Sequence, residues 1–129
     1  MLRRIVVLGA ALAVAMAAVA SAASSGLYTG KTSQKLKITV KVSNGHVVKV
    51  GYVAQYGSCG ELEGSDKVKI AIKGNKFGAT VHPNSETVDK LSGSFTGHKV
   101  SGALNSTVTT GGIHPMTCHS GKVTFSAKL

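Results

Sequence analysis

No tryptophan occurs in these 129 residues, and three tyrosines and three phenylalanines are the whole aromatic supply. Exported domains that hold neutral glycans commonly stack a sugar ring on an exposed aromatic face. Phe77, Phe95 and Phe125 fall in apolar registers, leaving Tyr28, Tyr52 and Tyr56, and the last two also follow an apolar face. A neutral-glycan module is therefore disfavoured. Arginine is confined to Arg3 and Arg4. Without the planar guanidinium fork that reads phosphate and guanine, sequence-specific nucleic-acid recognition is not expected. A Gly-x-Ser-x-Gly nucleophile elbow is lacking, and no Ser, His and Asp spacing points to a triad. Carboxylates for sugar cleavage would have to come from Glu61, Glu63, Asp66, Glu86 or Asp89, the only acids present. No catalytic residue is assigned, and no cofactor is implied.

The first residues have the three parts of a secretory signal. Arg3 and Arg4 give a positive start, Ile5 to Val19 carry no charge, and Ala20-Ser21-Ala22 supplies small residues for cleavage after Ala22. The apolar run is about fifteen residues, short of the roughly twenty that a membrane span needs. No second run of spanning length follows. The expected organisation is a signal peptide, 1–22, and one secreted domain, 23–129, without a transmembrane segment.

The whole chain has a net charge of +10. Removing Arg3 and Arg4 leaves about +8, carried by thirteen lysines against five acids. Such a domain is drawn to acidic partners by diffuse, salt-sensitive attraction. The two cysteines, Cys59 and Cys118, read as one disulfide in an exported chain, with free thiols as the alternative.

Short β-branched runs recur between glycine turns, and no segment sustains a helical period. Leu36, Ile38, Val40 and Val42 alternate with Lys37, Thr39 and Lys41. Asn44-Gly45 then marks a hairpin. On the return strand, Val48, Val50, Tyr52, Ala54 and Tyr56 share one face, with Val47 and Val53 on the other. Gly57–Asp66 reads as a glycine-rich loop, His82–Lys90 as a polar connection and Thr107–Thr117 as irregular. Val68, Ile70, Ile72, then Phe77, Ala79, Val81, then Leu91 and Phe95, Val100 and Leu104, and finally Val123, Phe125, Ala127 and Leu129 supply further strands. The expected fold is all-β: a single antiparallel β-sandwich of seven or eight strands with one disulfide. A small closed barrel is the alternative.

Several patterns resemble a set of small secreted proteins of high-GC Gram-positive bacteria to which no activity is attached. They are Gly30-Lys31-Thr32-Ser33-Gln34, Asn44-Gly45 with Val47 and Val48, Cys59, Phe77, Gly93-Ser94-Phe95, Val100-Ser101-Gly102, Leu104, Cys118, Gly121, Val123, Phe125 and Ala127. The resemblance implies secretion, one β-sandwich domain and a Cys59–Cys118 pair. It implies no substrate.

Three functional readings follow. The first is a non-catalytic module that associates with acidic cell-envelope or extracellular polymer through Lys37, Lys41, Lys67, Lys69 and Lys73 on outward strand faces. The second is copper binding by His114, Met116 and His119, because imidazole and thioether ligands suit that metal. Its counterpart is a solvated loop whose cysteine is bridged. The third is a protein-partner or inhibitor domain working through Gly57–Asp66 or Thr107–Thr117. Calcium at Glu61, Glu63 and Asp66 is disfavoured, because three positions fill only part of its oxygen shell.

Overall fold

The computed structural model describes residues 23–129; the expected signal peptide, 1–22, lies outside the described residues. Eight strands follow one another: β1 (Gly26–Thr32), β2 (Lys37–Ser43), β3 (His46–Gln55), β4 (Glu61–Ala71), β5 (Lys76–Asn84), β6 (Thr87–Thr96), β7 (Lys99–Thr110) and β8 (Met116–Lys128). All pairings are antiparallel, in the single sheet order β4-β3-β2-β1-β8-β7-β6-β5. This is the chain order wrapped into a ring, with β1 paired to β8 and the ring left open between β4 and β5. The all-β expectation holds, and the barrel alternative describes it: one nearly closed sheet rather than two stacked layers. Among the described residues no helix is long and apolar enough to cross a membrane.

Alternation builds the wall. Ile38, Val40 and Val42 of β2 are buried, while Lys37 and Lys41 face water. On β3 the inward set is Val47, Val50, Tyr52 and Ala54. Val48 was expected to share their face. Val42 pairs with Val47 and Lys41 with Lys49, so Val48 is an inserted residue and the inward phase shifts at that bulge.

A strip eight strands wide closes only if its strands coil, and glycines at inward positions permit this. A methyl group at Gly102 would strike the Ser92 carbonyl and the Phe125 ring; at Gly93 it would strike the Phe77 ring. Phe77 lies directly opposite Gly93 and fills the space that glycine leaves. Gly102→Ala is expected to destabilise by about 1–3 kcal/mol, since the struck atom is backbone. Gly78→Ala is expected to be nearly neutral, because its added Cβ would find nothing nearer than 3.7 Å. Urea unfolding of the two variants checks the contrast.

The interior has two zones. Around Tyr28, Phe77 and Phe95 it is aromatic, with ring centroids 5.3 Å apart for Tyr28–Phe95 and 5.8 Å for Phe77–Phe95. Toward the opposite end, which carries the 3-10 turn Gly57–Cys59, the buried residues include Asp66, Asp89 and Ser106.

Three expected connections are largely strand. Gly57–Asp66 contributes a short turn and then half of β4, which pairs with β3 from Glu61 onward. His82–Lys90 is divided between β5 and β6, and Thr107–Thr117 between β7 and β8. The ladder partner, not local propensity, decides these segments. β1 was also missed: its inward positions include Gly26 and Gly30, which leave little apolar alternation to read.

Candidate functional site

Residues on four strands meet inside the polar half of the barrel. Tyr52 lies on β3, Asp66 on β4, Asp89 on β6 and Ser106 on β7, and Tyr56 follows β3 directly. Asp66, Asp89 and Ser106 have no solvent exposure. The Tyr52 hydroxyl donates to Asp89 Oδ2 at 2.7 Å and lies 3.2 Å from Ser106 Oγ. Tyr56 donates to Ser106 Oγ at 2.6 Å. Ser106 continues the inward alternation of Val100 and Leu104 on β7, and its N–H donates to Ser120 Oγ at 2.9 Å.

The two carboxyls form the unusual part. Asp66 Oδ1 and Oδ2 and Asp89 Oδ1 find no donor among the surrounding side chains and backbone. A buried acceptor without a donor costs about 1–3 kcal/mol, more if it is charged. One proton relieves most of this deficit, because a protonated Asp66 can donate to Asp89. Burial, then the hydrogen bond and negative charge of Asp89, push the Asp66 carboxyl up to about 8. Burial also raises the Tyr52 phenol, with Asp89 adding to the effect, so Tyr52 remains a donor. The cluster is thus a proton-sharing carboxyl pair held by two phenols and a serine. It is sealed from solvent, so it holds a proton inside the wall and offers no carboxylate at the surface.

In the sequence Asp66 and Asp89 are two of five acids, and Asp66 shares the glycine-rich stretch Gly57–Asp66 with Glu61 and Glu63. On β4, Glu61 and Glu63 are exposed while Asp66 is buried, so the three do not converge as a calcium loop would. A polar residue at an inward position erases the alternation that marks a strand. That is why this part of the site and its strand were overlooked together.

Cys59 and Cys118 are bridged, tying the 3-10 turn to the start of β8. Met116 packs against the bridge, with its sulfur 3.8 Å from Cys59 Sγ. His119 lies three positions along β8 and takes the opposite face, its Nδ1 3.2 Å from Thr107 Oγ1. His114 is exposed in the bend before β8. The structure therefore does not gather His114, Met116 and His119 into one ligand set. Among the described residues no three His, Cys, Asp or Glu side chains are placed to hold a metal ion. All three tyrosines are buried, so none offers a surface for sugar stacking.

The lysines are arranged outside the wall. Lys41, Lys49 and Lys67 stand directly opposite one another on β2, β3 and β4. Lys49 was not singled out from the sequence, because the bulge at Val48 sets its register. One rung away Thr39, Gly51 and Ser65 align, and beyond them lies Lys37. Gly51 has no side chain, so a trough of about 450 Å³ opens over it, bordered by Lys37, Lys49 and Glu63. Lys69 and Lys73 lie apart from this trough, beside the opening between β4 and β5. Set beside models of known protein families, curated proteins and solved structures, the chain matches none of them.

Proposed function

We propose that this is an exported, non-catalytic module that binds an acidic polymer of the cell envelope or the extracellular medium on the outer face of β2, β3 and β4. The observation that carries this reading is the rung Lys41–Lys49–Lys67. Like charges directly opposite on neighbouring strands destabilise a sheet. Alternation alone asks only for polar residues there, and threonine or serine would serve, as in the adjoining rung. A polyanion lying along the rung relieves the repulsion and releases its own counterions. The trough over Gly51 extends the contact, with Thr39 and Ser65 hydroxyls as donors and Lys37 at its border. Ammonium groups on flexible stems suit a polymer whose charges are regular but not rigidly placed. The export part of the proposal rests on residues 1–22.

The test uses residues 23–129 with the disulfide formed, on immobilised alginate and on immobilised polyphosphate, at stepped salt. Retention is expected to fall steeply with salt. Changing Lys41, Lys49 and Lys67 together to Gln should lower the salt slope by roughly the three cations removed. The same change at Lys90, Lys99 and Lys122, on β6 to β8, should alter it much less. Equal losses from the two triple variants would reduce the interaction to net charge and overturn the proposal. So would retention indifferent to salt.

A further inference from the structure

The opening between β4 and β5 presents two sheet edges to solvent. β4 pairs with β3 alone and β5 with β6 alone. The two meet at their shared turn, where Lys73 N–H donates to the Lys76 carbonyl at 2.8 Å and Lys76 N–H returns a bond at 3.0 Å. Beyond that bridge the facing edges form no ladder with each other. An open groove of about 490 Å³ lies there, with Ile70, Phe77 and Ala79 in its lining and Lys69, Lys73 and Lys76 around them.

We infer that this opening is a strand-acceptor site for an extended acidic peptide, distinct from the polymer-binding face proposed above. Unpaired backbone donors and acceptors in extended geometry are a template for another strand. Their regular spacing along the edge matches that of a peptide backbone. Ile70, Phe77 and Ala79 give apolar contact to every second side chain of such a strand. The lysines then choose the occupant. Lysine on a sheet edge ordinarily keeps other strands away, because pairing would bury its charge beside the incoming chain. Three lysines around one groove exclude neutral and basic strands and admit an acidic one, so selectivity arises from a difference between partners. The same lysines disfavour a second copy of this chain, whose edges carry identical charge.

The experiment titrates the oxidised domain, residues 23–129, into a fluorescein-labelled peptide of alternating Glu and Val and follows anisotropy. Parallel arms use the same peptide N-methylated at alternate amides, and one with Lys in place of Glu. Saturable binding of the acidic peptide is expected, at least about tenfold weaker after N-methylation, as the loss of one or two backbone hydrogen bonds would give. The lysine peptide should not bind. Amide resonances of 61–71 and 76–84 should shift on binding, and the Lys69, Lys73 and Lys76 to Gln variant should bind about tenfold more weakly. Its alginate retention should fall much less than that of the Lys41, Lys49 and Lys67 variant, which separates this site from the Lys41 rung. Equal binding of the N-methylated peptide would reduce the interaction to charge and overturn the inference. Shifts confined to β2 and β3, or sedimentation showing that the peptide-free domain pairs with itself through this opening, would do the same.

Discussion

Between about pH 4 and pH 8 the folded domain is expected to lose stability steadily as pH rises, through the single proton shared by Asp66 and Asp89. The sign follows from linkage. Asp66 holds its proton up to about 8 in the folded state, whereas an unfolded aspartate releases it near the ordinary value of 3.8. Within that window the folded chain binds the extra proton, so each unit of pH favours unfolding by close to the ~1.4 kcal/mol that one proton carries. The contribution is fully present below the unfolded value and is gone above the folded one. Asp66→Asn supplies a permanent donor toward Asp89 in nearly the same shape and removes the titration. Urea unfolding at stepped pH should then show a shallower decline for the variant and a more stable variant at pH 8. The difference between the two curves is the quantity to read. Parallel curves would mean that Asp66 is already ionised inside the barrel, contrary to the donor deficit around it.

A second large effect is expected at the disulfide. Cys59 and Cys118 are 59 positions apart, and their bridge joins the half of the sheet containing β1 to β4 to the half containing β5 to β8. Closing a loop of this length removes freedom from the unfolded chain worth about 4 kcal/mol on the chain-entropy account. In a domain of about a hundred residues that corresponds to a Tm lower by roughly 15–30 °C for Cys59→Ser with Cys118→Ser. Calorimetry of the oxidised domain and the double variant provides the comparison. A change of only a few degrees would show that the ladder between β1 and β8 already holds the halves together without the bridge.

The legibility of this fold from its sequence divides along chemical lines. Where inward positions are apolar, as at Ile38, Val40 and Val42 or Val123, Phe125 and Ala127, alternation located the strand and its buried face. Where inward positions are polar or glycine, the period vanished. Gly64 and Asp66 made the first half of β4 look like a loop, Asp89 did the same for the start of β6, and Gly26 and Gly30 hid β1. Val48 misled in the opposite way: it is apolar and well placed for the period, but an inserted residue removes it from the interior. The exposed lysines were legible one at a time. That three of them form one rung is a matter of register across strands, which no single strand records.

Six of the seven ladders join strands that follow one another in the chain; the seventh joins β1 to β8. As the polypeptide emerges during synthesis, each neighbouring pair can zip up soon after its second member appears. The exception waits until residues 125–128 exist to meet 29–32. Until then no strand ladder joins the ribbon of β1 to β4 to that of β5 to β8, and a chain stalled before its last dozen residues has no route to the finished ring. Ring closure is accordingly a late event in this protein's assembly, set by the most distant contact it makes.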